Sequence, residues 1–324
     1  VVEFSTDGTG WTATTSEVFV DGAYEVAVTA TDAVGNPATL SQTLMVDLVA
    51  PVVTIESGAT DSTNAESITI IGTIDFDAVQ AVTLTVIDPD NIESEYAAIL
   101  DVQGWSFDLT LGVEGDWTIL AEVADEAGNT GSFTQTLTVD TTAPVATIID
   151  LGVTKDQTPE ITGTTDEDAT ITAVIKDDDA TVTVTQEGTG WSATPTELGE
   201  GGYTVIVTAT DALGNANTYE MLFSVDITAP AVFMTEGDTD STNSGTSPIT
   251  GSAGLDDADN TVKVTLTQGV EGSVQIVDAV IDEADGAWSI TPNSALTGGF
   301  WTVRAEVTDA AGNTDTFTQT LTVE

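Results

Sequence analysis

Cysteine and histidine are absent, and only four residues are basic: Lys155, Lys176, Lys263 and Arg304. Without cysteine there is neither a disulfide nor a thiol nucleophile, and without histidine there is no Ser–His triad and no usual zinc site. Against those four stand 54 acidic residues, a formal charge of −50. A polyanion with no basic patch excludes nucleic acid and anionic membrane surfaces as partners. No apolar run approaches the ~18 residues that cross a bilayer, so direct membrane insertion is excluded too. Yet 40% of the 324 residues are apolar, and they alternate with polar ones, unlike a charged disordered tract. An acidic globular chain suited to hard cations remains.

What is present is repetition. The linker phrase V-D-x-x-A-P occurs at Val46–Pro51, Val139–Pro144 and Val225–Pro230. A second phrase, D-x-x-G-N, occurs at Asp32–Asn36, Asp125–Asn129, Asp211–Asn215 and Asp309–Asn313. A third marker is a tryptophan after Gly or Ala, at Trp11, Trp105, Trp191 and Trp288. Three phrases sharing a period of about 90 residues indicate tandem domains. The expected boundaries are a C-terminal part of a domain at 1–47 and complete domains at 48–140, 141–226 and 227–324. Two flavours alternate, since Gly8–Asn36 tracks Gly188–Asn215 while Asp125–Asp140 tracks Asp309–Glu324. The chain reads as a slice of a longer array.

Within each unit the period is two, and Val, Thr and Ile dominate, as in half-buried strands. The strand before each D-x-x-G-N puts Tyr24, Val26, Val28 and Ala30 on one face. Its counterparts put Trp117, Ile119, Ala121 and Val123, then Tyr203, Val205, Val207 and Ala209, then Trp301, Val303, Ala305 and Val307 there. In 141–226 strands are expected near 145–149, 160–164, 170–175, 181–185, 191–194, 203–210 and 218–225. Seven short strands in such a length predict an all-β fold, with tandem immunoglobulin-like β-sandwiches of about seven strands arranged as an elongated rod. Tyr24, Trp117, Tyr203 and Trp301 sit where such sandwiches place a corner tyrosine, and the fifth-strand tryptophans read as core.

V-D-x-x-A-P, then alternating strands, then A-x-D-x-x-G-N resembles the bacterial Ig-like repeats of giant RTX-type and biofilm-associated cell-surface adhesins, across the whole chain. The resemblance implies extender domains at the bacterial cell surface, stiffened by Ca²⁺ near the domain junctions, whose partners are the neighbouring domains of the same chain.

The placement of the acids points the same way independently of that resemblance. Strand order brings one domain's AB and EF loops against the next domain's BC and FG loops. Around residue 47 this groups Asp21, Asp47, Asp75, Asp77 and Asp125. Around residue 140 it groups Asp61, Glu114, Asp116 and Asp140 with Asp166, Glu167, Asp168 and Asp211. Around residue 226 it groups Asp156, Glu200 and Asp226 with Asp256, Asp257, Asp259 and Asp309. No basic residue falls in these sets, although Lys155 borders Asp156. Two carboxylates ~6 Å apart repel by roughly 2–3 kcal/mol at an effective dielectric near 20, and Ca²⁺ takes six to eight oxygens in flexible geometry. Ca²⁺ is therefore the expected cofactor. Generic solubility charge and turn-capping aspartates explain the same residues without metal, and D-x-x-G-N also reads as a turn. Asp88–Glu93 and Asp282–Gly286 read as acidic turns, with private calcium loops as the alternative.

The leading function is a structural spacer in a cell-surface adhesin or fibre. The alternatives are ligand binding through exposed threonine ladders or tryptophan, to sugar or ice, and lateral self-association into an extracellular filament. An enzyme with two carboxylates fits poorly, because these acids recur with the domain period.

Overall fold

The computed structural model describes residues 2–4, 10–75, 81–102, 104–235, 239–242, 244–254, 260–269, 272–282 and 284–324. Asp77, Asp256, Asp257 and Asp259 lie outside them. Every regular element among the described residues is a β-strand. The chain divides into two units, Val1–Thr142 and Ala143–Glu324.

In the first unit, strands Ser67–Gly72, Trp105–Thr110 and Ile99–Leu100 form one sheet, which Val53 joins through a bridge to Ile74. The facing sheet runs Thr60–Thr63, Thr130–Val139, Gly115–Ala124, Val82–Ile87, Glu93–Ala97. The inward face alternates as the sequence requires: Trp117, Ile119, Ala121 and Val123 are buried with Val82, Leu84 and Val86 beneath Trp105 and Leu109. Burying such side chains contributes about 1.5–3 kcal/mol each. Residues before Leu48 form a short pair, Val2–Phe4 with Trp11–Ala13, and a long hairpin, Gly22–Thr31 with Pro37–Val46. Among the described residues this hairpin's apolar side stays open, with Val26, Leu40 and Leu44 exposed.

The second unit holds two cores. One draws on Ala146 to Val225 and centres on Trp191, Val205, Val207 and Phe223. The other draws on Val232 to Val323 and centres on Trp288, Trp301, Val303 and Leu266. The sheets of the first run Ala146–Ile148, Ile161–Thr165, Gly190–Pro195, Val182–Glu187 and Val153–Thr154, Ala216–Val225, Gly201–Thr210, Thr170–Ile175. This is the immunoglobulin-like sandwich read from the sequence, with one difference. The first strand splits in two, and its second half crosses to the other sheet and pairs in parallel with the last strand, Val153 with Ser224 and Thr154 with Val225. The crossing turns at Gly152, where φ is +62°, and at Gly58 (φ +88°) in the domain before it. Only glycine adopts such angles without strain.

Four corners repeat one hydrogen bond. Tyr24 Oη donates to the Val20 carbonyl (2.9 Å) and Tyr203 Oη to that of Gly199 (3.0 Å). Where the aromatic is tryptophan its ring N–H takes over, Trp117 Nε1 to Val113 and Trp301 Nε1 to Thr297, both 2.9 Å. The fifth-strand tryptophans Trp105, Trp191 and Trp288 are 2–4% exposed, each with its ring packed against a glycine of the adjacent strand: Gly72, Gly163 and Gly251. Trp11 is 49% exposed.

Candidate functional site at the domain junctions

Each linker begins with the same local closure. The carboxylate of Asp47 accepts from the Val49 N–H (3.1 Å), that of Asp140 from Thr142 (3.1 Å) and that of Asp226 from Thr228 (3.0 Å). This is the turn an aspartate makes with backbone two residues on. Each linker ends on a proline, Pro51, Pro144 and Pro230, buried against the domain that follows.

A carboxylate at the corner before the sixth strand grips the same segment from behind. Glu114 accepts from the Thr141 N–H (2.8 Å) and from the hydroxyls of Thr141 (2.5 Å) and Thr142 (2.8 Å). Glu200 accepts from the Thr228 hydroxyl. At the shorter corner Asp21 accepts from the Leu48 N–H at 2.6 Å. The Thr141 and Thr142 hydroxyls, followed by their N–H groups, hold Glu114 below its ordinary carboxyl value of 4.5.

The D-x-x-G-N phrase builds one closed turn four times. In each, the Asn N–H donates to the Asp Oδ1 at 2.7–2.9 Å and the Asn side-chain amide to Oδ2 at 2.7–3.0 Å. Gly35, Gly128, Gly214 and Gly312 supply the left-handed residue, with φ of +85° to +94°. Asn36 and Asn129, through their side-chain amides first, hold Asp32 and Asp125 below the ordinary 3.8. Burial pushes Asp211 upward as its largest single influence, but the bonds from Asn215 and the loop N–H groups leave it lowered.

Linker and loop meet. The side-chain amide of Asn129 also donates to the carbonyl of Asp47, 82 residues earlier, at 3.1 Å. Asn313 does the same to Asp226 at 2.8 Å. Hydrogen bonds thus run from the linker aspartate through the asparagine to the loop aspartate, Asp125 or Asp309. Asp309 is buried.

The remaining acids lie more locally. Asp166 accepts from the Val145 N–H (2.8 Å), and Asp75 donates its N–H to the Val52 carbonyl (3.0 Å); each joins the first strand to the second. Asp156 caps Thr158, and Asp61 caps Ser62. Asp116 lies on the strand rather than in the loop, accepting from the Thr138 hydroxyl opposite it (2.7 Å). Asp168 is exposed. Among the described residues no three carboxylates gather closely enough to hold a metal ion. The Asp88 and Asp282 segments are tight turns, closed by Ile92 N–H on Asp88 and Ala284 N–H on Asp282.

One residue departs from the sequence reading. Lys155 does more than border Asp156: its ammonium donates to the Gly312 carbonyl of the next domain's loop at 2.6 Å. Sequence reasoning also missed Gly72, Gly163 and Gly251, whose signal is a glycine at the strand position opposite Trp105, Trp191 and Trp288.

Fold and junctions together define a tandem array of Ig-like sandwiches joined by short bonded linkers. The chain belongs to the bacterial Ig-like domain family, whose model matches residues 150–227 and 234–324, just over half of it. No curated protein matches it. Among solved structures it is similar to the tetra-tandem repeat in the extending region of a large adhesion protein. That likeness has 25% identity, 94% of this chain and 82% of the other covered, and a TM-score of 0.33. It is also similar to Sidekick-1 immunoglobulin domains 1–5 (13%, 99% and 70% covered, TM-score 0.36). Protocadherin gamma B2 cadherin domains 3–6 follow (12%, 93% and 83%, TM-score 0.31). With TM-scores this low, none of these likenesses bears on function.

Proposed function

We propose that this array is a non-enzymatic extender of a bacterial cell-surface adhesin, holding a binding region away from the cell. The observation that carries the reading is the linker-to-loop bond, Asn129 to Asp47 and Asn313 to Asp226. It ties the Asp47 and Asp226 linkers to the domain after each, while Asp21 and Glu200 tie them to the domain before. A linker bonded at both ends transmits direction, which a spacer needs and a loose tether lacks. Ligand binding through threonine ladders is less favoured, because facing hydroxyls bond one another: Thr29 with Thr39, Thr54 with Thr73 and Thr147 with Thr164.

Calcium is the proposed stiffener, supported by 54 acids against four bases and by the hard oxygen donors that crowd each linker. Extracellular modules bind it at about 10⁻⁴ to 10⁻³ M. Since the described acids form no three-carboxylate cluster, a site at the Asp47 junction would draw on main-chain carbonyls or on Asp77 as well. Small-angle scattering tests both parts. Deleting residues 141–226 should shorten the maximum dimension, and an unchanged dimension refutes the extender. Equal dimension and melting temperature in calcium and in chelator refute the stiffener alone. Lateral self-association into a filament would appear in the same samples as a concentration-dependent mass.

A further inference from the structure

Strand register places one position of each of these three sandwiches beside the outgoing end of its last strand. Thr63, Thr154 and Thr242 pair in parallel with Val139, Val225 and Val323. Their carbonyls accept from the N–H groups of Asp140, Asp226 and Glu324 at 2.9–3.0 Å. The residue after the threonine therefore stands beside the linker, as Asn64 in one domain and Lys155 in the next. The third counterpart, Asn243, lies outside the described residues. Asn64 is short and neutral, whereas Lys155 is one of only four cations in the chain.

Lys155 reaches across its junction. Its ammonium donates to the Gly312 carbonyl at 2.6 Å, while Asn313, the next residue of that loop, donates to the Asp226 carbonyl. Thr154, adjacent to Lys155, accepts from the Asp226 N–H. A ring of hydrogen bonds thus closes through the earlier domain, the linker and the later domain, with a positive charge in it. Two other cations bond within their own domains: Lys176 faces Glu220 at 3.6 Å and Arg304 bonds Glu306.

We propose that Lys155 is a resident cation that clasps the 141–226 domain to the 227–324 domain, so that this junction keeps its geometry without a bound metal. A divalent ion would have to displace an ammonium already bonded to the loop carbonyl. The clasp stands on its own bonds; its use as a stiffener rests on the extender reading. The array then has two kinds of junction, one closed by its own lysine and one, following Asn64, with a neutral residue at that position.

The absence of cysteine allows a clean test in the full chain. Spin labels at Thr172→Cys and Thr318→Cys, both exposed, report the distance distribution across this junction. Labels at Thr134→Cys and Thr172→Cys report the preceding one. The first pair should give the same width in calcium and in chelator. Lys155→Met, which keeps the length and loses the charge, should broaden it in chelator, and Lys155→Arg should keep it narrow. The melting profile confirms that each variant is folded. If Lys155→Met leaves the width unchanged, or if the parent narrows only when calcium is added, the clasp is refuted. If neither pair responds to calcium while Lys155→Met broadens the first, the calcium reading fails and the clasp stands.

Discussion

The most sensitive point of each sandwich is the place where tryptophan lies on glycine. Gly163 faces Trp191 across the sheet and Ile148 on its other side. A methyl group on Gly163 would fall 1.9 Å from the Thr147 carbonyl oxygen and 2.3 and 2.6 Å from Trp191 Cζ2 and Cε2. Carbon–oxygen contacts as close as ~3.3 Å are already short, so strand and ring must each retreat by more than about 1 Å in an interior packed like a crystal. Overpacking costs about 1–3 kcal/mol and occasionally more. With one obstacle in the backbone and a second in the largest core side chain, Gly163→Ala belongs at the top of that range, ~3 kcal/mol. For a domain of this size each kcal/mol moves the melting temperature by about 4–8 °C, giving a drop of roughly 12–24 °C. Calorimetry of the full chain reads it directly: one transition falls while the others hold, because domains of a linear array unfold semi-independently. Adding Trp191→Phe should recover only part of the loss, since the carbonyl obstacle remains. A drop below about 4 °C, or an equal drop in every transition, would refute the packing argument.

Three further outcomes are expected. Tyr203→Phe removes the bond to the Gly199 carbonyl and should destabilise its domain by about 0.5–1.5 kcal/mol, measured by denaturant titration. Gln135 is buried and donates to Ser57 Oγ (2.6 Å) and the Gly58 carbonyl (3.1 Å); Gln135→Met imitates Met221 at the same register and should cost about 1–3 kcal/mol, at about 0.5–1.5 kcal/mol for each of the two hydrogen bonds lost. Asp125 has a lowered carboxyl value in the fold, so its contribution is complete above the unfolded 3.8 and is lost as pH falls through the lower folded value. The melting temperature of its domain should therefore fall more steeply in acid for the parent than for Asp125→Asn, a comparison that cancels the general relief of acid–acid repulsion; parallel curves would show that the carboxylate does not hold the turn.

The strands and corners were legible because their signals are local and periodic. Alternation at 117–123 and 301–307 carries through to burial at every second residue, and the aromatic-to-carbonyl bond spans four residues each time. The split first strand was not legible: a single glycine with positive φ leaves no periodic trace, and Val153–Thr154 is too short to alternate. At the junctions the sequence marked the right phrases but not their partners. Asn129 finds a main-chain carbonyl 82 residues away, and a carbonyl has no residue type to search for. Lys155 was hidden for a similar reason, since its acceptor is also backbone.

That preference for backbone acceptors explains how the junctions tolerate change. The two variable residues of the linker phrase are Leu48 and Val49, Thr141 and Thr142, or Ile227 and Thr228. At neither of these two positions is one side chain common to all three linkers, yet the Asp47 and Asp226 linkers present the same carbonyl to the same asparagine. The contacts made by side chains at these positions do vary: Thr141, Thr142 and Thr228 give hydroxyls to Glu114 or Glu200, whereas Leu48 offers only its N–H to Asp21. Selection acting on junction geometry then needs to fix only the aspartate that turns the linker, the proline that ends it and the asparagine that reads it. The two residues after the aspartate can drift in polarity and bulk, as these copies do. Stiffness can be added to one junction at a time by changing the single residue that leans across it, and the exchange of asparagine for lysine between residues 64 and 155 is such a change.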